Sequence, residues 1–246
     1  MNPFCALVAN DLKLKKARPH SQTLWWKAYM AMIGATGIAL FAYAILRGFL
    51  HPEDMLSGIP FLLFLGFGLS IRTLKQEWHN GTVSWWLALP YSRTVLLGAK
   101  AASAFVRFLY ALASTLAVFF LFTITGLFLR PDIWNGQSLH GLVAHALPGL
   151  LLLLVASSLP IMLGIVWIVV SKSRLRPVLP AIWLAVIALG TFIPNYFFPK
   201  DKAGGISRLP ERITSASLIE AVAFMALIAV LCFVFSSYVL ERHVEV

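Results

Sequence analysis

The sequence predicts an all-α membrane protein with six transmembrane helices, and three observations lead there. Six apolar runs, at 28–46, 55–71, 108–129, 148–170, 178–198 and 221–240, contain no Asp, Glu, Lys, Arg or His. A bilayer core about 30 Å thick takes roughly 20 helical residues to cross, which is the length of each run. The chain is 59% hydrophobic with only 12% charged residues, about half the charge of an ordinary soluble domain. Finally, the basic residues fall on one side. With six spans, fourteen of the twenty Lys and Arg lie on the side of the two termini. Lys and Arg collect on cytoplasmic loops, so both termini are expected in the cytoplasm. The formal charge of +10 is accounted for in this way and does not call for nucleic acid.

Residues 1–27 form a cytoplasmic or interfacial segment. Phe4, Leu7, Val8 and Leu12 recur at helical spacing among Asn10, Lys13, Lys15 and Lys16. The spacing predicts an amphipathic helix lying in the membrane plane, its basic face toward anionic headgroups. Pro19 ends it, because the residue before a proline is pushed out of the α region. Trp25 and Trp26 then sit at interface depth, just ahead of the first span. Nothing in this segment has the form of a cleaved signal peptide. The first span carries Ala28, Ala31, Ala35, Ala39 and Ala42, small residues that let helices approach closely in lipid.

Residues 72–107 form a cytoplasmic loop that runs into a helix extension. From Ser92 to residue 129 the pattern is helical, about 57 Å of helix at 1.5 Å per residue. That exceeds the bilayer core, so the first part projects into the cytoplasm or lies along its surface, with Arg107 reaching to headgroups. Pro160 and Pro194 are expected to kink the fourth and fifth spans. Thr123, Thr125, Ser157, Ser158 and Asn195 are polar groups within the spans and the candidates to line a translocation path. Ser and Thr in such helices commonly bond back to the carbonyls of the preceding turn. Cys5 and Cys232 lie too far apart in depth to form a disulfide. The whole chain, 1–246, reads as one membrane domain.

One segment carries a specific signal. Residues 77–100 contain Glu77, Gly81, Thr82, Pro90, Ser92, Arg93, Gly98 and Lys100. Gly81 suits a sharp turn with positive φ, Pro90 fixes another, and Trp85, Trp86 and Leu87 offer apolar anchors for an interface. Glu77 suits hydrogen bonding at a helix end or pairing with a basic residue across an interface. This order of residues, between the second and third spans, resembles the cytoplasmic loop of type-2 (exporter-like) ABC transporter permeases. The tryptophans at 78, 85 and 86 are not part of that pattern, and about 24 residues match at motif level.

The resemblance implies a coupling helix in this loop that docks on a separate cytoplasmic ATP-binding subunit. Two permease domains, as a homodimer or with a sister permease, and two such ATPase subunits make the working transporter. ATP and Mg are bound by the partner, and this chain has no cofactor, metal or catalytic residue. The residues assigned to the partner interface are Glu77, Gly81, Thr82, Trp85, Trp86, Pro90, Arg93 and Lys100. The family also implies a multi-pass protein of the bacterial plasma membrane that exports a drug, peptide antibiotic or lipid-linked molecule. The chain holds no Gly-x-x-x-x-Gly-Lys-Ser/Thr phosphate loop, so it is not itself the ATPase. An intramembrane enzyme fits poorly: His140 and His145 are five apart with no Glu in zinc-hydrolase register, and no span holds a His to activate Ser70. The alternatives are a gradient-driven transporter or a non-transporting scaffold or sensor. The first is disfavoured by the lack of ionisable groups within the spans and of a visible inverted repeat.

Overall fold

The computed structural model describes residues 3–13, 24–49, 62–129, 131–132, 150–151, 153–184, 187–188 and 215–242. Among these, every regular element is helical. The elements are α1 (Pro3–Lys13), α2 (Leu24–Leu46), α3 (Leu62–His79), a short α4 (Val83–Leu87), α5 (Arg93–Leu129), α6 (Ser158–Ser171) and α7 (Ser215–Arg242). A 3-10 turn at Arg176–Val178 follows α6 and leads into a helical stretch at 179–184.

Among the described residues, three helices are long and apolar enough to cross a membrane: Arg93–Leu129, Leu153–Ser171 and Ile219–Arg242. Ala35–Leu46, within α2, is a shorter apolar helix. These three agree with an all-α membrane protein. Of the remaining apolar runs, residues 55–61 and most of 178–198, including Pro194 and Asn195, lie outside the described residues.

α5 is one unbroken helix of 37 residues, about 55 Å long, so the extension before Phe108 is continuous with the apolar part. No proline interrupts it, and the cost of about 1 kcal/mol for Gly98 alone does not stop it; the Phe4 ring of α1 and the Phe233 ring of α7 pack at that position. α3 also outruns its apolar stretch, continuing eight residues past Ile71 to His79. The helix containing α6 is interrupted at Ser157. The cause is Pro160, which has no N–H for the carbonyl of Ala156 and whose ring crowds it.

α6 is the central helix, packed between α3 and α7, and 61% of its apolar window is buried. α5 packs against α3, and α1 lies along α5. The apolar windows of α5 and α7 are only 17% and 22% buried, so most of their surface is left for lipid or another chain. Phe120, Leu121 and Phe128 on α5, and Leu227, Val230 and Leu231 on α7, are among the exposed side chains. α2 meets α5 through Phe41 and Phe122, whose rings stack with centroids 3.9 Å apart.

α3 and α6 approach each other closely at Gly164. A Cβ at Gly164 would lie 2.0 Å from Ser70 Oγ and 2.8 Å from the carbonyl oxygen of Phe67. Lipid tails are as apolar as the helices, so association there rests on such close packing rather than on exclusion of water. The main core gathers Leu74 of α3, Trp86 and Leu87 of α4, Leu96, Leu97 and Phe108 of α5, Ile161, Ile165 and Val169 of α6, and Val239 and Leu240 of α7. This core brings the end of α3, the start of α5 and the end of α7 together at one end of the bundle.

Candidate functional site: a buried charge cluster and the loop it holds

At that end three helices present charged side chains to one another. α5 carries Arg93, Lys100 and Arg107 at seven-residue spacing, close to two helical turns, so the three share a face. α3 carries Thr73 and Glu77 four residues apart on its facing side. α1 supplies Asp11, which falls on the same stripe as Phe4, Leu7 and Val8 and is therefore turned inward.

Lys100 is the hub. Its Nζ donates to Asp11 Oδ1 at 2.6 Å and to Glu77 Oε1 at 2.6 Å, and the three side chains are 4%, 8% and 12% exposed. The ammonium also lies 5.7 Å from the centroid of the Trp86 ring, within range of a cation–π attraction. Seven residues on, Arg107 makes a second bracket. Its Nη2 donates to the backbone carbonyl of Asp11 at 2.6 Å and its Nη1 to Thr73 Oγ1 at 3.0 Å. Thr73 in turn donates to the carbonyl of Leu69 at 2.8 Å. Both brackets run α1–α5–α3, and Asp11 takes part in each, once by side chain and once by main chain. Arg107 was expected to reach headgroups. Because α1 lies along α5, the nearest acceptors are protein oxygens instead.

The loop is closed onto this cluster. Gly81 has φ +66°, in the left-handed region, and turns the chain after α3. The Thr82 N–H donates to the carbonyl of Glu77 at 3.1 Å, and the Thr82 hydroxyl donates to Glu77 Oε2. The carbonyl of Thr82 accepts from Trp86 N at 2.8 Å and opens α4. At the far end of α4, Arg93 Nη1 donates to the carbonyl of Leu87, one of the acceptors a helix C-terminus leaves open. Tyr91 N donates to the carbonyl of Leu89 at 2.8 Å, closing the turn at Pro90.

Of the residues assigned to the loop from sequence, Glu77, Thr82, Trp86 and Lys100 are thus drawn into one network and Arg93 holds the end of α4, while Gly81 and Pro90 are exposed at its turns. The basic partner of Glu77 is Lys100 of the same chain. Trp86 and Leu87 are 4% and 6% exposed, so their apolar surface is already covered within the chain. The face of the loop turned to solvent is formed by His79, Asn80, Gly81, Ser84, Ala88, Pro90 and Tyr91. The side chain of Trp85 lies outside the described residues.

No family model matches the chain, and neither does any curated protein or solved structure.

The path candidates are not part of this network. Thr123 donates to the carbonyl of Phe119 at 3.0 Å, Thr125 to Leu121 at 2.9 Å, Ser157 to Leu154 at 2.7 Å and Ser158 to Val155 at 2.8 Å. Each hydroxyl is engaged by its own helix. Asn195 lies outside the described residues.

Sequence reasoning missed Asp11, Thr73 and the inward role of Arg107. The signals were present: an acid on the apolar stripe of α1, and cations repeating every seven residues across the start of α5.

Burial pushes the Asp11 carboxyl above its ordinary value of 3.8, and the charge of Lys100 and its hydrogen bond draw it part of the way back. Nearby Glu77 adds to the upward push. A carboxyl with a raised folded-state pKa binds its proton more firmly folded than unfolded. Its contribution is therefore fully present below 3.8 and declines as pH rises toward the folded value. Relative to Asp11→Asn, which does not titrate at this position, the unaltered protein is expected to lose stability as pH rises through that window. Thermal unfolding of both proteins across the acid range checks this, and a relative gain with rising pH would contradict it.

Gly81 gives a second test. A Cβ there meets nothing within 4 Å, so the cost of Gly81→Ala is purely the left-handed backbone, about 1 kcal/mol. Asparagine, which tolerates that region, is expected to cost less than alanine in the same unfolding measurement.

Proposed function

We propose that this chain is the membrane-spanning permease subunit of an ATP-driven transporter of the type-2, exporter-like ABC kind. It has six spans with both termini in the cytoplasm of a bacterial plasma membrane. ATP is hydrolysed by a separate subunit, bound in two copies to a pair of permease domains. The cargo is a hydrophobic or amphipathic compound such as a drug, peptide antibiotic or lipid-linked molecule, moved outward.

The observation that carries this reading is the 77–100 segment. It is a closed unit: α3 end, Gly81 turn, short helix α4, Pro90 turn and α5 start, tied by Lys100 and Arg93 to helices of the bundle. A loop that transmits force from an outside subunit has to be rigid and firmly attached to a long helix. This one is attached in that way, since α5 carries the attachment and continues as an apolar helix long enough to cross a bilayer. The exposed loop face, with Asn80, Ser84, Pro90 and Tyr91, is the surface offered to the partner.

A second reading follows from the Asp11–Lys100–Glu77 triad. Buried ionisable groups are what a gradient-driven transporter would use. Flux into sealed vesicles decides between the two. The expected result is uptake into inverted vesicles that requires ATP and a co-expressed ATPase and persists when the proton gradient is collapsed. Uptake that ignores ATP and follows the gradient would overturn the first reading in favour of the second.

A further inference from the structure

The charge cluster holds one residue that belongs neither to the loop nor to the helices flanking it. Asp11 lies on α1, 89 positions before Lys100 in sequence, yet its carboxylate shares the Lys100 ammonium with Glu77. We propose that Asp11 is a positioning residue for the loop: by fixing Lys100 from the α1 side it holds Glu77 and, through Thr82, the turn and α4. The inference rests on the reading of that loop as the docking site for an ATPase subunit, and it extends the working unit to α1.

The geometry supports each link. Lys100 sits on α5 with a long, flexible stem, and a single carboxylate would leave its ammonium free to swing. Two carboxylates on opposite helices, at 2.6 Å each, define its direction. Glu77 uses its second oxygen to accept from Thr82, so the position of Lys100 is passed on to the residue that opens α4. α1 is itself held against α5 independently of these charges. The Phe4 ring lies at van der Waals distance from the Gly98 position, Leu7 packs on the core, and the Asp11 carbonyl accepts from Arg107. The carboxylate of Asp11 can therefore be removed without removing what docks α1.

A buried ion pair is a weak source of net stability, since desolvation offsets its attraction, whereas it can specify one arrangement among several. The raised pKa of Asp11 is consistent with that balance. Without this carboxylate Lys100 keeps Glu77 as its partner and no buried charge is stranded, so the effect is expected in the geometry and dynamics of the loop and not in global stability. A merely structural role would do the reverse.

The test is amide hydrogen exchange on the full chain in lipid nanodiscs, with thermal unfolding in parallel. In Asp11→Ala, exchange of the 82–91 amides is expected to rise about tenfold or more, while α6 amides and the unfolding temperature stay as in the unaltered chain. Phe4→Ala is the second variant. It loosens α1 through packing alone and is expected to raise exchange in the same loop. Unchanged loop exchange in either variant would overturn the proposal, and so would a uniform rise that includes α6. These readouts do not involve an ATPase. A loop that responds to Asp11 but binds no ATPase contradicts the proposed function and leaves this role standing. A loop that binds an ATPase and ignores Asp11 does the opposite.

Discussion

Lys100→Met is expected to destabilise the protein by about 3–5 kcal/mol, the usual cost of removing one partner from a buried charged group. Here the cost is toward the upper end, because two carboxylates lose the same cation. Asp11 and Glu77 would be left facing each other, and the guanidinium of neighbouring Arg107 is committed to Thr73 and to the main chain of Asp11. The diagnostic result lies in the double variant. Adding Asp11→Asn to Lys100→Met removes one of the two stranded charges, so the pair is expected to be more stable than Lys100→Met alone, although a further native group has been altered. Residues in one network couple in this non-additive way. Denaturation midpoints of the four proteins in one detergent provide the cycle, and a double variant less stable than the single would contradict the shared-ammonium geometry.

Gly164→Val is expected to have a comparable effect through sterics alone. Overpacking a tight contact costs about 1–3 kcal/mol and more where the obstacle is backbone. At Gly164 the nearer obstacle, Ser70 Oγ, is able to rotate, although it donates to the carbonyl of Phe67 at 2.8 Å. The second obstacle is that carbonyl itself, 2.8 Å from the position of a new Cβ, and it moves only if α3 moves. Even alanine therefore forces α3 from α6. Ser70→Gly is expected to relieve part of the loss in Gly164→Ala and little in Gly164→Val, since it clears the hydroxyl and leaves the carbonyl. Full rescue of the valine variant by Ser70→Gly would show that the backbone contact is not limiting.

Much of the architecture was legible because it is written within single helices. The spacing of Phe4, Leu7, Val8 and Leu12 marks α1, the uninterrupted pattern from Arg93 onward marks the length of α5, and Pro160 marks the break at Ser157. The short helix between α3 and α5 was implied by the resemblance of the 77–100 segment, whereas the residues themselves mark only the turns on either side, at Gly81 and Pro90. Contacts between helices were not legible. Periodicity places Asp11 on the apolar face of α1 and Lys100 between Arg93 and Arg107, but it does not say that these faces meet. The same holds for Gly164, whose partner Ser70 lies on a helix that sequence order does not make adjacent. Trp86 and Leu87 show a different failure. In a polar loop they resemble outward anchors, yet α4 folds back on α3 and α5, and the ammonium of Lys100 provides a reason for an indole to face inward.

Among the described residues three helices suit a membrane, and the buried cluster ties the short loop helix α4 to one of them. The claim that matters most is that this loop meets an ATP-hydrolysing subunit in the cytoplasm. A photo-cross-linking amino acid at Ser84, an exposed position on α4, tests it directly in native membranes. The expected result is an adduct, formed from the cytoplasmic side, with a protein that binds and hydrolyses ATP after purification. An adduct with lipid alone, or labelling of Ser84→Cys by an impermeant thiol reagent from outside the cell, would contradict it.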